Sequence, residues 1–295
     1  MTEVSLDELN AAGRVQFLAA LGDIFEHSPW VAEIAAGQRP FATLASLYQS
    51  LQTALLGADP ERQLAVIKAH PDLAGKAARA GSLTADSTAE QASAGLDRLS
   101  EAEYAAFGRL NEAYKARFGF PVIICVRRHT KESILHQLER RCEHDAATER
   151  AAAIAEILRI VALRLDQRVR AGDQLPVHGR LSTHVLDNFW GRPAKGIAIE
   201  LFELAGAQER RLITRAVTND DGRSDAPLIG GRPIPTGRYE LRFAVGDYFA
   251  RAGAAHTDPP FLDVVPIRFA VAEPEGHYHV PLLCTPWSYT TYRGS

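Results

Sequence analysis

His277-Tyr278-His279-Val280-Pro281-Leu282-Leu283 stands near the C-terminal end of the sequence, and Ser288-Tyr289-Thr290-Thr291-Tyr292-Arg293-Gly294-Ser295 follows it. The first stretch reads as a strand. Side chains alternate across a strand, so imidazoles two residues apart share one face. The hydroxyls and the arginine then fall on what should be the next strand. Strands this polar are a poor way to build a core, and they point instead to the wall of a site.

Upstream the same period of two continues. Candidate strands are 181–186, 197–204, 212–218, 239–245, 264–271 and 278–283. Turn signals separate them at 188–191, at Asn219-Asp220-Asp221-Gly222 and at Pro235-Thr236-Gly237. Residues 247–252 read as a short helix. Many short strands with regular turns predict a β-sandwich or a barrel. Before Gly172 the texture differs. Ser5 and Glu8 are spaced as a capping box, followed by apolar Leu9, Val15, Leu18, Leu21 and Phe25 at helical intervals. Further amphipathic runs carry Phe41 to Leu55, then Leu64 and Ile67 up to His70-Pro71. Ser100 and Glu103 form another capping box ahead of Tyr104, Phe107, Leu110 and Tyr114. A last helix, alanine-rich at its start, carries Ile154, Ile157, Leu158, Val161 and Leu165. The expectation is a multidomain chain: an all-α domain over 1–172, a linker over 173–179 and an all-β domain over 180–295.

With 295 residues the chain is long enough for two domains of ordinary size. Its net charge of −3 gives no reason to expect nucleic acid or an acidic membrane as partner. Three cysteines, Cys125, Cys142 and Cys284, make no disulfide framework and point to a reducing compartment, hence the cytoplasm. Met1-Thr2-Glu3-Val4-Ser5 lacks the basic and apolar segments of a signal peptide, and no apolar run is long enough to span a bilayer.

In the β-half, His184, Arg223 and His279 stand out. An imidazole can take a proton from water while a guanidinium holds the developing oxyanion. Residue type alone leaves this open. A lone strand histidine is more often a satisfied or solvated residue than a catalyst, and His-x-His with His184 could also be part of a zinc site.

The β-half resembles the transthyretin-related 5-hydroxyisourate hydrolase family. The likeness rests on Leu181-Ser182-Thr183-His184-Val185-Leu186-Asp187, Gly191-Arg192-Pro193-Ala194, Thr218-Asn219-Asp220-Asp221-Gly222-Arg223, the 277–283 strand and the closing Tyr292-Arg293-Gly294-Ser295. Transthyretin itself lacks the two histidines, the arginine and this ending. The resemblance implies a transthyretin-like sandwich assembling as a dimer of dimers. It also implies hydrolysis of the lactam of 5-hydroxyisourate, with His184, Arg223 and His279 catalytic and Thr290, Tyr292, Arg293, Gly294 and Ser295 at the substrate.

In the helical half, His70-Pro71 places an imidazole at a helix end, because proline forces the chain out of helical geometry. Structural readings are strong here. Ser87 and Glu90 have capping-box spacing, His70 can be a helix cap, and Arg164 can pair with a nearby carboxylate. Even so, the half resembles the family of 2-oxo-4-hydroxy-4-carboxy-5-ureidoimidazoline (OHCU) decarboxylases. The motifs are Ser28-Pro29-Trp30-Val31-Ala32, His70-Pro71-Asp72-Leu73, Ser87-Thr88-Ala89-Glu90-Gln91, Phe118-Gly119-Phe120-Pro121 and Ile160-Val161-Ala162-Leu163-Arg164-Leu165. By this likeness His70 is the catalytic histidine and Glu90 its carboxylate partner. Pro71, Ser87, Gln91, Ile123, Ile124 and Arg164 bind substrate, the 122–124 segment through its backbone.

The two resemblances together imply a bifunctional enzyme of uric acid degradation. It would act on small ureides, need neither cofactor nor metal, and form a homo-oligomer with a tetrameric sandwich core and paired decarboxylase domains. The rival is a transthyretin-like small-molecule binding protein carrying a helical assembly domain.

Overall fold

The structure, a computed structural model, describes residues 3–206, 209–254 and 257–294. It divides into two compact units, Met1–Val177 and His178–Ser295, each with its own hydrophobic core.

In the first unit β1 (Val4–Ser5) leads into α1 (Leu6–Ala11), α2 (Arg14–Leu21), α3 (Trp30–Ala36), α4 (Leu44–Leu56) and α5 (Pro60–Lys68). Then come α6 (Lys76–Arg79), α7 (Ala85–Ser93), α8 (Glu101–Phe118), α9 (Lys131–Arg141), α10 (Ala146–Arg168) and β2 (Val169–Arg170), which pairs in parallel with β1. Ser5 and Ser100 close the expected capping boxes with Glu8 and Glu103. The single helix expected over Leu9 to Phe25 is two helices instead. Gly13 caps α2, and the break leaves Val15 78% exposed. α10 packs on α4 and α5, with Ile157, Val161 and Leu165 buried. Each such side chain contributes about 1.5–3 kcal/mol of burial.

The segment read as a linker, 173–179, is mostly packed. The Asp173 carboxylate accepts the backbone N–H groups of Leu44 (2.7 Å) and Ala45 (3.0 Å), which α4 leaves unpaired at its start. Leu175 and Val177 are buried in the helical core.

The second unit is a sandwich. β3 (Gly179–Ser182), β4 (Val185–Asp187), β5 (Arg192–Pro193), β6 (Ala198–Ala205), β7 (Glu209–Val217), β8 (Ile229–Arg232) and β9 (Gly237–Ala244) precede α11 (Val245–Arg251). β10 (Val264–Val271), β11 (His277–His279), β12 (Leu282–Thr285) and β13 (Ser288–Thr291) follow. One antiparallel sheet has the order β10-β9-β6-β7; the others are β11-β3-β8 and β13-β12-β4-β5.

Two strands expected to be continuous are each broken in two. The run 181–186 ends in one sheet at Ser182 and resumes in another at Val185, and 278–283 does the same between His279 and Leu282. Pro281 has no N–H to continue a ladder. The breaks are stitched together: the Thr183 hydroxyl donates to the Val280 carbonyl (2.7 Å), Val280 N–H to the Ser182 carbonyl (3.0 Å) and Leu282 N–H to the His184 carbonyl (2.8 Å). His184 and His279 therefore arrive at one place because both strands change sheets there.

Candidate active sites

Pro71 ends α5 and leaves His70 buried at the helix end, 9% exposed. Its Nδ1 lies 2.9 Å from the Val66 carbonyl, so the expected cap exists. A carbonyl only accepts, so Nδ1 carries the proton and Nε2 is left as an acceptor. Burial drives the imidazole pKa down from 6.5 to about 4, against the opposing pull of the Val66 bond and of Glu26. His70 is therefore a neutral base at ordinary pH.

The capping-box reading of Ser87 and Glu90 is wrong. Thr84 caps α7, its hydroxyl accepting from Ser87 N–H. Both expected partners face inward. Glu90 takes a bidentate ion pair from Arg164 of α10, Nε and Nη2 each 2.8 Å from a carboxylate oxygen. The Arg164 Nη1 donates to the Ile24 carbonyl and to Glu26, both at 3.2 Å. Arg164, 3% exposed, is thus not on a solvated face. Its carboxylate neighbours hold its pKa above the usual arginine value despite burial. Four of its five donors are engaged.

Glu26 was not legible in the sequence. It is 2% exposed and also accepts from the Thr84 hydroxyl (2.7 Å) and the Ser87 hydroxyl (3.2 Å). Gln91 uses its Oε1 to accept from Ala74 N–H at 2.9 Å, where Ala74 holds a positive φ of 51°. This fixes the loop after Pro71. On the opposite wall the 122–125 backbone is anchored from behind. Arg141 Nη1 donates to the Ile123 carbonyl (2.6 Å), and Cys125 N–H donates to Glu156 (2.8 Å). Arg141 is in turn held by buried Glu149, which also pairs with His144 and Tyr114.

These elements enclose one cleft, with about 30 Å³ of space that a water molecule can reach. All eight residues expected of this half, His70, Pro71, Ser87, Glu90, Gln91, Ile123, Ile124 and Arg164, line it. Its lining is divided between these polar side chains and the apolar Leu73, Val122, Ile123, Ile124, Ile160 and Leu163. A cleft so divided can place a carboxylate against hydrocarbon while its neighbouring hydroxyl meets a base.

In the sandwich, His184 is bridged to Arg223 and His279 to Gly294 across the strand breaks. Gly294 N–H donates to the His279 carbonyl at 2.9 Å. The Asn219 carboxamide oxygen accepts from Arg223 N–H and Asp221 N–H, both at 3.1 Å, and shapes the turn that delivers Arg223. Gly222 sits at φ 71°, and a Cβ there would meet the Val185 carbonyl at 2.3 Å, so only glycine lets this turn lie against β4. The Ser182 hydroxyl lies 3.0 Å from His279 Nδ1 and 3.4 Å from His277 Nε2, so the two imidazoles do share a face. Burial first and Arg223 second lower the pKa of both His184 and His279, and the His184 ring lowers that of His279 further. His184 Nε2 is buried without a hydrogen-bond partner. A neutral imidazole with a free acceptor beside a guanidinium can deprotonate water and hold the anion that results.

The remaining expected residues are less enclosed. Thr290 lies on β13 opposite Leu283, and Tyr292 is 56% exposed. Arg293 places its guanidinium 5.0 Å over the Tyr278 ring. Ser295 lies outside the described residues.

Comparison with known proteins agrees with both halves. Residues 10–166 match the OHCU decarboxylase family and residues 181–294 the HIUase/Transthyretin family. The chain belongs to both families. It is 42% identical over 168 residues to a 2-oxo-4-hydroxy-4-carboxy-5-ureidoimidazoline decarboxylase of Haloferax volcanii, covering 57% of this chain and 98% of that one. It is 55% identical over 117 residues to 5-hydroxyisourate hydrolase 2 of Rhizobium meliloti, covering 40% of this chain and 97% of that one. A solved (S)-allantoin synthase is similar along the whole length, at 34% identity with 99% and 100% of the two chains covered and a TM-score of 0.55. The fused architecture is thus not peculiar to this chain.

Proposed function

We propose that this fused decarboxylase and hydrolase converts 5-hydroxyisourate to (S)-allantoin in two steps. The sandwich opens the lactam with water to give OHCU, and the helical unit removes carbon dioxide from OHCU. The observation that carries the reading is the single cleft that gathers His70, Glu90, Arg164, Ser87 and Gln91 beside an apolar wall, in a chain that also joins His184, Arg223 and His279.

In the hydrolase step, His184 and His279 take the proton of the attacking water, and Arg223 binds the ring or the oxyanion. Thr290, Tyr292, Arg293, Gly294 and Ser295 frame the substrate. In the decarboxylase step the carbon–carbon bond to the carboxylate breaks, its electron pair forms a double bond to the adjacent imine-like ring carbon, and the imine π pair passes to the ring nitrogen, which takes a proton from solvent. His70 accepts the proton of the neighbouring hydroxyl, with Glu90 held rigid by Arg164. Pro71, Ser87, Gln91 and the Ile123-Ile124 backbone orient the ring. Reprotonation from one face then fixes the handedness.

Half-exposed imidazoles and an exposed Tyr292 support a sandwich that completes its site by assembling as a tetramer, with the helical units paired. The three free cysteines support a reducing, cytoplasmic setting. Among the described residues no helix is long and apolar enough to cross a membrane.

The test is ultraviolet absorbance of freshly made 5-hydroxyisourate, followed by circular dichroism of the allantoin formed. Rapid decay and a single enantiomer are expected. Decay at the uncatalysed rate would leave a ligand-binding sandwich, and racemic allantoin would leave the helical unit an assembly module.

A further inference from the structure

The decarboxylase reading requires the cleft to attract an anion, yet its most prominent cation is already committed. Arg164 spends its donors on Glu90, Glu26 and the Ile24 carbonyl, with Asp86 a further 3.6 Å from Nε. Arg168, next along α10, is tied to Asp23 and Asp86. His70 is neutral. Counting Glu26, Glu90 and Asp86 against Arg164 and Arg168, the polar flank keeps one net negative charge. As built, it would repel a carboxylate.

One side chain offsets this. Arg127 sits in the short 3-10 turn Val126–Arg128, directly after the 122–125 wall. It lines both the inner cleft and an outer groove bordered by Asp86, Ala89, Ser93 and Gln167. Among the described residues only Glu90 and Arg164 share that double position, and both are locked in their own ion pair. Arg127 is half-buried and holds no hydrogen bond or ion pair among the described residues. Its fork is therefore available where the groove opens into the cleft, and a guanidinium suits a carboxylate.

We infer that Arg127 is the recognition residue that captures the carboxylate-bearing substrate of the helical unit at the mouth of the cleft. The inference rests on the decarboxylase reading and adds to it. Chemistry sets where the capture occurs. A guanidinium that kept the carboxylate through the reaction would stabilise the charge that must be lost as carbon dioxide departs. It would then oppose the step. Capture at the mouth, followed by transfer of the carboxylate to the apolar wall, avoids this. Arg127 thus acts on entry, and its effect belongs in kcat/KM.

The experiment uses the full chain with Arg127→Gln and Arg127→Lys. OHCU is formed in place from 5-hydroxyisourate, and its decay is followed over a range of starting concentrations. Arg127→Gln should lower kcat/KM for OHCU about tenfold with kcat changed less than about twofold. Arg127→Lys should recover to within about threefold of the parent, because it restores the charge without the fork. Raising salt from about 20 to about 200 mM should lower the parent's kcat/KM and affect the Gln variant far less. Decay of 5-hydroxyisourate itself should be the same in all three proteins, and their melting curves should coincide. An unchanged kcat/KM in Arg127→Gln overturns the inference, and so does a fall confined to kcat. Absence of any catalysed OHCU decay in the parent overturns the decarboxylase reading instead.

Discussion

The helical cleft and the sandwich cluster place histidines by opposite means. In the first, His70 is enclosed, and every charged group behind it is answered by another: Arg164 by Glu90 and Glu26, Arg141 by Glu149. In the second, His184 and His279 are only half-buried, held by backbone bridges at two strand breaks. One site is made rigid by buried ion pairs, the other by the path of the chain. The difference teaches where stability and chemistry are coupled. Removing a charged residue from the cleft strips its partner of compensation in a dry interior. Removing an imidazole from the sandwich leaves the backbone bridges in place.

The largest effect that sharpens this contrast belongs to Arg164→Leu. It leaves Glu90 and Glu26 buried without their cation, a loss of about 3–5 kcal/mol. Stereoselective allantoin formation should vanish and the first melting transition should fall, while 5-hydroxyisourate still decays rapidly. A protein that melts as before would break the comparison at its base. Next comes His279→Ala. Loss of a positioned general base should slow 5-hydroxyisourate decay by about a hundredfold or more. Denaturant unfolding should shift by less than about 1 kcal/mol, since this ring is not deeply buried. A comparable loss of stability would mean that the imidazole, not the backbone, holds the breaks together.

Gly294→Ala probes the same site more gently. A Cβ at Gly294 would stand 2.6 Å from His279 Cδ2 and 3.2 Å from its Cβ, so the ring has to turn away. Hydrolysis should drop by about tenfold through misorientation. Allantoin handedness should be unaffected when OHCU is supplied. Wild-type hydrolysis in this variant would show that the ring has more freedom than its packing suggests.

What the sequence revealed follows the same division. Long periodic runs gave α4, α8 and α10 and the ladder of β6, β9 and β10, because periodicity reports which face is buried. The strand breaks were invisible, since Thr183-His184 and Val280-Pro281 interrupt no alternation; the proline was the one available sign. β8 escaped because Gly230-Gly231 weakens any strand pattern. In the cleft, motif likeness brought together His70, Glu90 and Arg164, whereas spacing alone favoured a cap for Ser87 and Glu90. Thr84, equally able to cap, took that place and freed both side chains. Glu26 went unread for a different reason. It lies in an irregular segment just before His27, whose φ is 49°, and its partners come from α7 and α10, far along the chain.

The smallest expected change concerns acid, and it separates rate from stability. In the folded protein His70 holds a pKa of about 4, below its ordinary 6.5. The neutral form is the one that accepts a proton, so the decarboxylation rate should change less than about twofold between pH 7 and pH 5. Stability behaves differently. Between pH 6.5 and 4 the unfolded chain takes up a proton that the folded imidazole refuses, so the helical unit is fully stabilised above 6.5 and loses stability as pH falls toward 4. His184 and His279 are lowered as well, through burial and Arg223, so the acid limb of hydrolysis should also lie below 6.5. Rates of both steps and melting curves from pH 7 to pH 4.5 test this together. A decarboxylation limb centred near 6.5 would mean that His70 is solvated during turnover, and the contrast between an enclosed base and a half-open pair would fail where it is most specific.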